Sequence, residues 1–274
     1  MIKFRAACIQ NTAGRDIQAN VDWVCARIDD AVAGGADFIA LPETVGLIEP
    51  VNAQIPAATY SEADDIGLAA FRARAREHGV TILLGSQLIL ENASIFNRCF
   101  LLDTSGEIRA RYDKLHMFDI ELKNGEAYRE SDAITPGDKA VIVDTTLGRL
   151  GLSICYDLRF GALYRALAQA GAQFITIPAA FTQTTGQAHW HTLVRARAIE
   201  TGAFIIAPNQ CGHHADQRYS FGHSLIIDPW GEILADGGPE PGIIYADIDL
   251  DRVQKARARI PSLQNERPFT LEQQ

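Results

Sequence analysis

The chain has 274 residues, of which 47% are hydrophobic and 22% charged, enough apolar material to bury one large core. Its formal net charge is −9 with no run of Lys or Arg, which argues against a nucleic-acid surface; no apolar stretch reaches membrane-spanning length, and the opening residues enter a strand pattern rather than a signal peptide. The five cysteines (Cys8, Cys25, Cys99, Cys155 and Cys211) are odd in number and scattered, so they read as reduced thiols of a cytoplasmic protein and not as a disulfide framework.

Strand and helix patterns alternate from the start. A strand over Phe4–Gln10 precedes a helix over Ile17–Gly34, a strand over Phe38–Leu41, a helix over Asp64–His78 and a strand over Val80–Leu88. A hairpin follows, with Asn97–Asp103 turning through Thr104-Ser105-Gly106 into Ile108–Tyr112. The order then recurs: a strand over Gly148–Ile154, a helix carrying Leu163, Leu167 and Ala170, a strand over Phe174–Pro178, a helix over His189–Thr201, a strand over Phe204–Pro208 and a hairpin over Gly222–Ala235.

The recurrence is also one of residues. The segment from Ala33 to Pro42 matches that from Gln169 to Pro178 at an offset of 136 (172 minus 36), and Cys99–Ile108 matches Ser224–Ile233 at an offset of 125 (228 minus 103). Similar offsets predict two halves of like topology rather than a stacked array. Helices must cover one face of each sheet, leaving the other faces to pack together, so the pattern predicts an α/β fold of four layers, an α-β-β-α sandwich. Nothing reads as a linker; residues 1–268 are expected to form a single domain, with a polar, Pro-punctuated tail over 257–274.

Three segments carry candidate chemistry. The strand at Phe38–Leu41 runs through Pro42 into Glu43, a carboxylate that taken singly fits a helix cap. Lys114 sits among apolar and aromatic neighbours just after Ile108–Tyr112, where surface solvation is the plainer reading. Gly151–Phe160 places Cys155 at a strand-to-helix junction. Such a sulfur can stand above a sheet with the N–H groups of the turn, Tyr156 first, open to an oxyanion. On that segment alone, a small buried apolar cysteine is an equally good reading.

Together and in this order, Leu41-Pro42-Glu43, Tyr112-Asp113-Lys114-Leu115-His116 and Cys155-Tyr156-Asp157-Leu158-Arg159-Phe160 resemble the nitrilase (carbon–nitrogen hydrolase) superfamily, over nearly the whole chain from Ala6 to about Pro268. The resemblance implies the same four-layer fold and amide hydrolysis through a cysteine thioester. It implies Cys155 as nucleophile, Glu43 as acid and base, and Lys114 with the Tyr156 N–H as oxyanion donors. Glu130 matches a second glutamate that in many members positions the lysine and the substrate; an exposed loop carboxylate is the alternative there. Arg159, four residues after the cysteine, suits either a substrate carboxylate or a structural ion pair. Phe181 and Thr182 follow the second-half strand, opposite the Glu43 loop by the internal repeat, and are candidates for the pocket wall. Tails like 257–274 often reach a second subunit in this superfamily, which implies a homodimer or higher homo-oligomer.

The histidines do not form a metal pattern. His189 and His191 are two apart on an expected helix and face different ways, and Cys211-Gly212-His213-His214 lacks a matching second pair, so no metal is expected. No Gly-rich phosphate loop follows a strand, so no cofactor is implied. Within the superfamily, His189–Thr201, Asn209–His214 and Gly222–Glu232 look most like deaminated glutathione amidases, with ω-amidases acting on α-ketoglutaramate or α-ketosuccinamate as neighbours. The partner expected is therefore a small carboxylate-bearing amide. Gly161, where proline is common, and the loop Glu121–Glu126 depart from the superfamily pattern beside the pocket. A non-enzymatic interaction protein on the same scaffold is the alternative class, and the intact Glu43, Lys114 and Cys155 argue against it.

Overall fold

The structure, a computed structural model, describes residues 2–122, 125 and 127–273. The chain begins with β1 (Lys3–Gln10), α1 (Ile17–Ala33), β2 (Phe38–Ala40), α2 (Ile66–His78), β3 (Thr81–Glu91), β4 (Ser94–Leu102) and β5 (Ile108–Asp113). A small hairpin of β6 (Asp119–Glu121) and β7 (Ala127–Arg129), then β8 (Ile142–Thr145), lead to the second half. That half holds β9 (Gly148–Leu152), α3 (Gly161–Gln169), β10 (Phe174–Thr176), α4 (Gln183–Thr201) and β11 (Phe204–Ala207). After it come the pair β12 (Cys211–His213) and β13 (Tyr219–Phe221), the pair β14 (Leu225–Ile227) and β15 (Ile233–Asp236), then β16 (Gly242–Asp249) and α5 (Asp251–Arg259).

Side-chain caps set the helix starts. Asp16 accepts from the Ala19 N–H at 3.0 Å and Asp65 from the Leu68 N–H at 2.6 Å. The helix expected from Asp64 therefore begins at Ile66, because Asp65 serves as its cap, and it stops at Gly79, whose φ of 62° is left-handed. In contrast, α4 begins at Gln183, six residues before the expected His189. Its polar first turns read as loop, yet Gly186 lies against Phe221, where any Cβ would stand 2.3 Å from the ring. Tertiary packing outweighs propensity there.

Two sheets form the middle layers, ordered β16-β1-β2-β3-β4-β5 and β15-β14-β11-β10-β9-β8. Read in opposite directions they are the same sheet: a parallel trio (β1-β2-β3, β9-β10-β11) extended by an antiparallel hairpin, with one antiparallel strand on the other edge. Period-two alternation divides the core. Phe38 and Ala40 face the other sheet, whereas Ile39 and Leu41 face α1 and α2 through Val24, Ile28 and Phe71. Between the sheets Phe174 meets Phe4 at 5.4 Å and Phe38 at 5.7 Å between ring centroids. Leu163 and Leu167 of α3, with Trp190 and Val194 of α4, cover the outer face of the second sheet. The expected α-β-β-α sandwich is the observed one. The sequence reading lacked β8, the β6–β7 and β12–β13 pairs, β16 and α5.

Candidate active site

Each candidate side chain leaves the end of a strand on the same rim of the sandwich. Glu43 follows β2, Lys114 follows β5, and Cys155 opens a short turn after β9 that runs to Arg159. Cys155 has φ 45°, a left-handed value that costs a non-glycine residue energy. Hydrogen bonds hold it there. Its N–H donates to the Pro178 carbonyl at 2.8 Å, and the buried Asp157 carboxylate accepts from the Ile154 N–H at 2.8 Å and the Tyr112 hydroxyl at 2.6 Å. Asp157 also accepts from the His116 N–H at 3.1 Å and contacts its ring Nδ1 at 2.7 Å, so the cysteine turn is tied to β5 and to the lysine loop.

Lys114 is buried between two carboxylates. Its Nζ donates to Glu43 Oε1 at 2.8 Å and to Glu130 at 2.9 and 3.0 Å. Asn97 donates to both acids, at 2.9 Å to Glu43 and 3.3 Å to Glu130, while Glu43 Oε2 accepts from the Ala180 N–H at 2.9 Å. The Phe118 N–H, at 2.6 Å, completes Glu130. Burial works against the Glu43 charge, but the Lys114 ammonium outweighs it and, with the Cys155 thiol, holds the carboxyl below the usual glutamate range. Burial likewise works against the Lys114 charge, and Glu130 with Glu43 holds the ammonium above its ordinary value. Burial, then the Glu43 charge, pushes the Cys155 thiol well up despite Lys114. At neutral pH the site thus holds a thiol beside an ionised base and a permanent cation.

These groups open onto a cavity of about 350 Å³. Glu43, Lys114, Glu130, Cys155, Tyr156, Phe181 and Thr182 all line it, so the structure brings the expected site residues together. Arg159 is the exception and is not among the lining residues. Its guanidinium lies 5.7 and 5.4 Å from the Tyr156 and Phe181 ring centroids and 3.4 Å from His189 Nδ1, outside the lining. The arginines that line the cavity are Arg129 and Arg218.

The carbon–nitrogen hydrolase family matches residues 5–258. The chain belongs to that family. It is 39% identical over 271 residues to a deaminated glutathione amidase of Synechocystis sp., a match covering 97% of this chain and 98% of the relative. It is 32% identical to the omega-amidase NIT2 of Homo sapiens, over 97% of this chain and 96% of that one. Among solved structures, the C. elegans NitFhit protein superposes with a TM-score of 0.91 at 34% identity, covering 97% of this chain and 66% of that chain.

This carbon–nitrogen hydrolase has site residues that the sequence reading passed over. Asn97 and Asp157 were within segments already singled out, but what they bridge is visible only in three dimensions. Gln210 donates to the Glu43 carbonyl at 2.9 Å and accepts from the Ala13 N–H at 2.9 Å, and Asn209 accepts from the Phe181 N–H at 3.0 Å. Both brace the rim from the second half. Gly161 leaves room for the Arg197 guanidinium, 3.1 Å from where a Cβ would stand. In the loop Glu121–Glu126, Lys123, Asn124 and Glu126 lie outside the described residues.

No histidine lines the cavity among the described residues. His116 stacks on Phe160 at 3.5 Å, and His213 stacks on Tyr219. His214 bridges the Ala13 carbonyl and the Ser220 hydroxyl, and burial lowers its pKa to about 4. His191, His223 and Asp236 are the one trio of metal-ligand type among the described residues, with donor atoms within 4.8 Å. Both rings already hydrogen-bond Asp236 at 2.9 Å, and none of the three faces the cavity.

Proposed function

We propose that the protein is an amidase that cleaves a small carboxylate-bearing amide through a Cys155 thioester, with deaminated glutathione as the substrate. The observation that carries this reading is the Cys155 thiol set beside Glu43 and Lys114 on one cavity in a carbon–nitrogen hydrolase. Glu43 takes the thiol proton as Sγ bonds to the amide carbon. The Lys114 ammonium and the Tyr156 N–H stabilise the oxyanion. Glu43 returns the proton to the departing nitrogen as the C–N bond breaks, then takes a proton from the water that attacks the thioester. Acid and amine leave, and the thiol is restored. Glu130 and Asn97 keep Lys114 and Glu43 in register, and Phe181 and Thr182 form the wall against the acyl chain. Arg159 packs against the Tyr156 and Phe181 rings of that wall.

The substrate assignment rests on relatives named deaminated glutathione amidase at 38–42% identity, whereas the omega-amidase relative stands at 32%. Omega-amidase activity is the second reading. The wild type should release cysteinylglycine from deaminated glutathione faster than ammonia from α-ketoglutaramate. Cys155→Ala should fold, release nothing from either, and lose the single fast alkylation seen by mass spectrometry. Activity kept in that variant, or fast labelling of Cys8 or Cys211 in its place, would sink the mechanism. Five free cysteines support a reducing, cytoplasmic setting. Exposed Phe269 and Leu271 in the tail support self-association.

A further inference from the structure

The cavity wall beside Glu43 carries a guanidinium that the hydrolytic steps leave without a task. Arg218 follows the short turn after β12, where its carbonyl accepts from the His214 N–H at 2.8 Å. Its Nη2 donates to the Ala180 carbonyl at 3.4 Å, and its Cζ stands 5.7 Å from the Tyr128 ring centroid. No carboxylate pairs with it among the described residues, although Arg15, Arg98 and Arg111 are each paired with acids. Its Nε is buried and has no hydrogen-bond partner. A buried donor on a permanent cation is costly to leave unmet, and Arg218 lines the cavity, where a guanidinium suits the two oxygens of a carboxylate.

The charge of the site points the same way. Glu43, Lys114 and Glu130 sum to one negative charge, in a protein whose net charge is −9, so the reacting cluster by itself repels an anionic amide. We infer that Arg218 binds the carboxylate of the substrate on the wall next to Glu43, and so makes the enzyme select anionic amides over neutral ones. The inference rests on the amidase reading above. Ala180 joins the two functions: its N–H donates to Glu43 Oε2 and its carbonyl accepts from Arg218. A carboxylate held by Arg218 is thereby placed at a fixed distance from the base. Arg129 and Arg159 are the competing candidates, but Arg129 is exposed on β7, and Arg159 lies against two aromatic rings and beside His189, outside the lining.

The test is steady-state kinetics of the full chain and of Arg218→Gln, Arg218→Lys and Arg159→Lys, on deaminated glutathione, on α-ketoglutaramate and on a neutral amide of similar size. In Arg218→Gln, kcat/KM for the anionic amides should fall roughly ten- to a hundredfold further than for the neutral one, mainly through KM. Arg218→Lys should recover part of that preference, since it keeps the charge and loses the fork. Binding of α-ketoglutarate to Cys155→Ala, measured by calorimetry, should weaken by a similar factor when Arg218→Gln is added, a readout independent of turnover. Equal losses on anionic and neutral amides would overturn the inference, as would a preference lost in Arg159→Lys and kept in the Arg218 variants. A wild type that cleaves none of these amides would overturn the amidase reading itself, a pattern distinct from either.

Discussion

At Cys155 the fold works against the ionisation that would make the residue a free nucleophile. Burial and the Glu43 charge keep the proton on sulfur, so reactivity depends on an ionised neighbour and not on a thiolate that is already formed. The sign of the pH dependence follows. Glu43 is held below its ordinary value, so its base form is present above the usual carboxylate range and is lost as pH falls through the lowered value. We expect kcat/KM to stay level from about pH 8 down to about pH 5 and to fall only in more acid solution. Glu43→Gln should reduce kcat by about 10²–10⁴ while alkylation still reaches Cys155. A rate that climbs steadily between about pH 6 and pH 9 would instead mean that thiol ionisation is limiting.

Strands deliver these residues, and their spacing is enforced by backbone contact. Gly85 of β3 lies so close to the Leu41-Pro42 segment that a Cβ there would stand 1.9 Å from the Leu41 carbonyl oxygen and 2.4 Å from that of Pro42. Those atoms are backbone and cannot rotate away. Gly85→Ala should therefore push β3 from β2 and displace Glu43, costing about 1–3 kcal/mol or more in stability and a larger share of activity. Urea unfolding and turnover of the variant check this; unaltered values for both would show that the strands separate freely. Asp157 acts in the same way across elements, joining the Cys155 turn to Tyr112 of β5 and to His116. Its neighbours in sequence identify the motif, but its partners come from a segment some forty residues away, so its bracing role was not legible there.

Over the whole molecule the two sheets repeat one plan, and the edge strands show how it closes. In the second sheet β8 pairs with β9 and comes just before it in the chain; in the first, the same place beside β1 is taken by β16 from the far end. The chain thus pins its first strand with one of its last. Beyond α5, Glu266 docks on α3 through Arg165 and Gln169, while Phe269 and Leu271 are 90% and 92% exposed. Such side chains in a monomer would be left to water, and we expect a second copy to cover them. Light scattering should give a dimer or larger for the intact chain and a smaller species for one ending at Ser262. A monomer in both cases would rule the tail out as an interface.

The linear chain determined the pieces that local chemistry governs. Period-two alternation in Phe38–Leu41 fixes which side chains face the other sheet, Asp16 and Asp65 cap helices within three residues of themselves, and the repeated segments announce two like halves. Three motifs, each at a strand end, pointed to Glu43, Lys114 and Cys155, which the structure brings to one cavity. Only the tertiary structure decided what lies between them. The pairing of β16 with β1 spans almost the full chain, and short strands such as β8 carry no periodicity that could reveal them. The direction of the charges at Glu43, Lys114 and Cys155 arises from burial and mutual contact, which residue type does not encode. The same holds for the two arginines. Arg159 stood in a motif and lies against the Tyr156 and Phe181 rings outside the lining, whereas Arg218 stood in none and is part of it, because which guanidinium reaches the cavity is settled by packing.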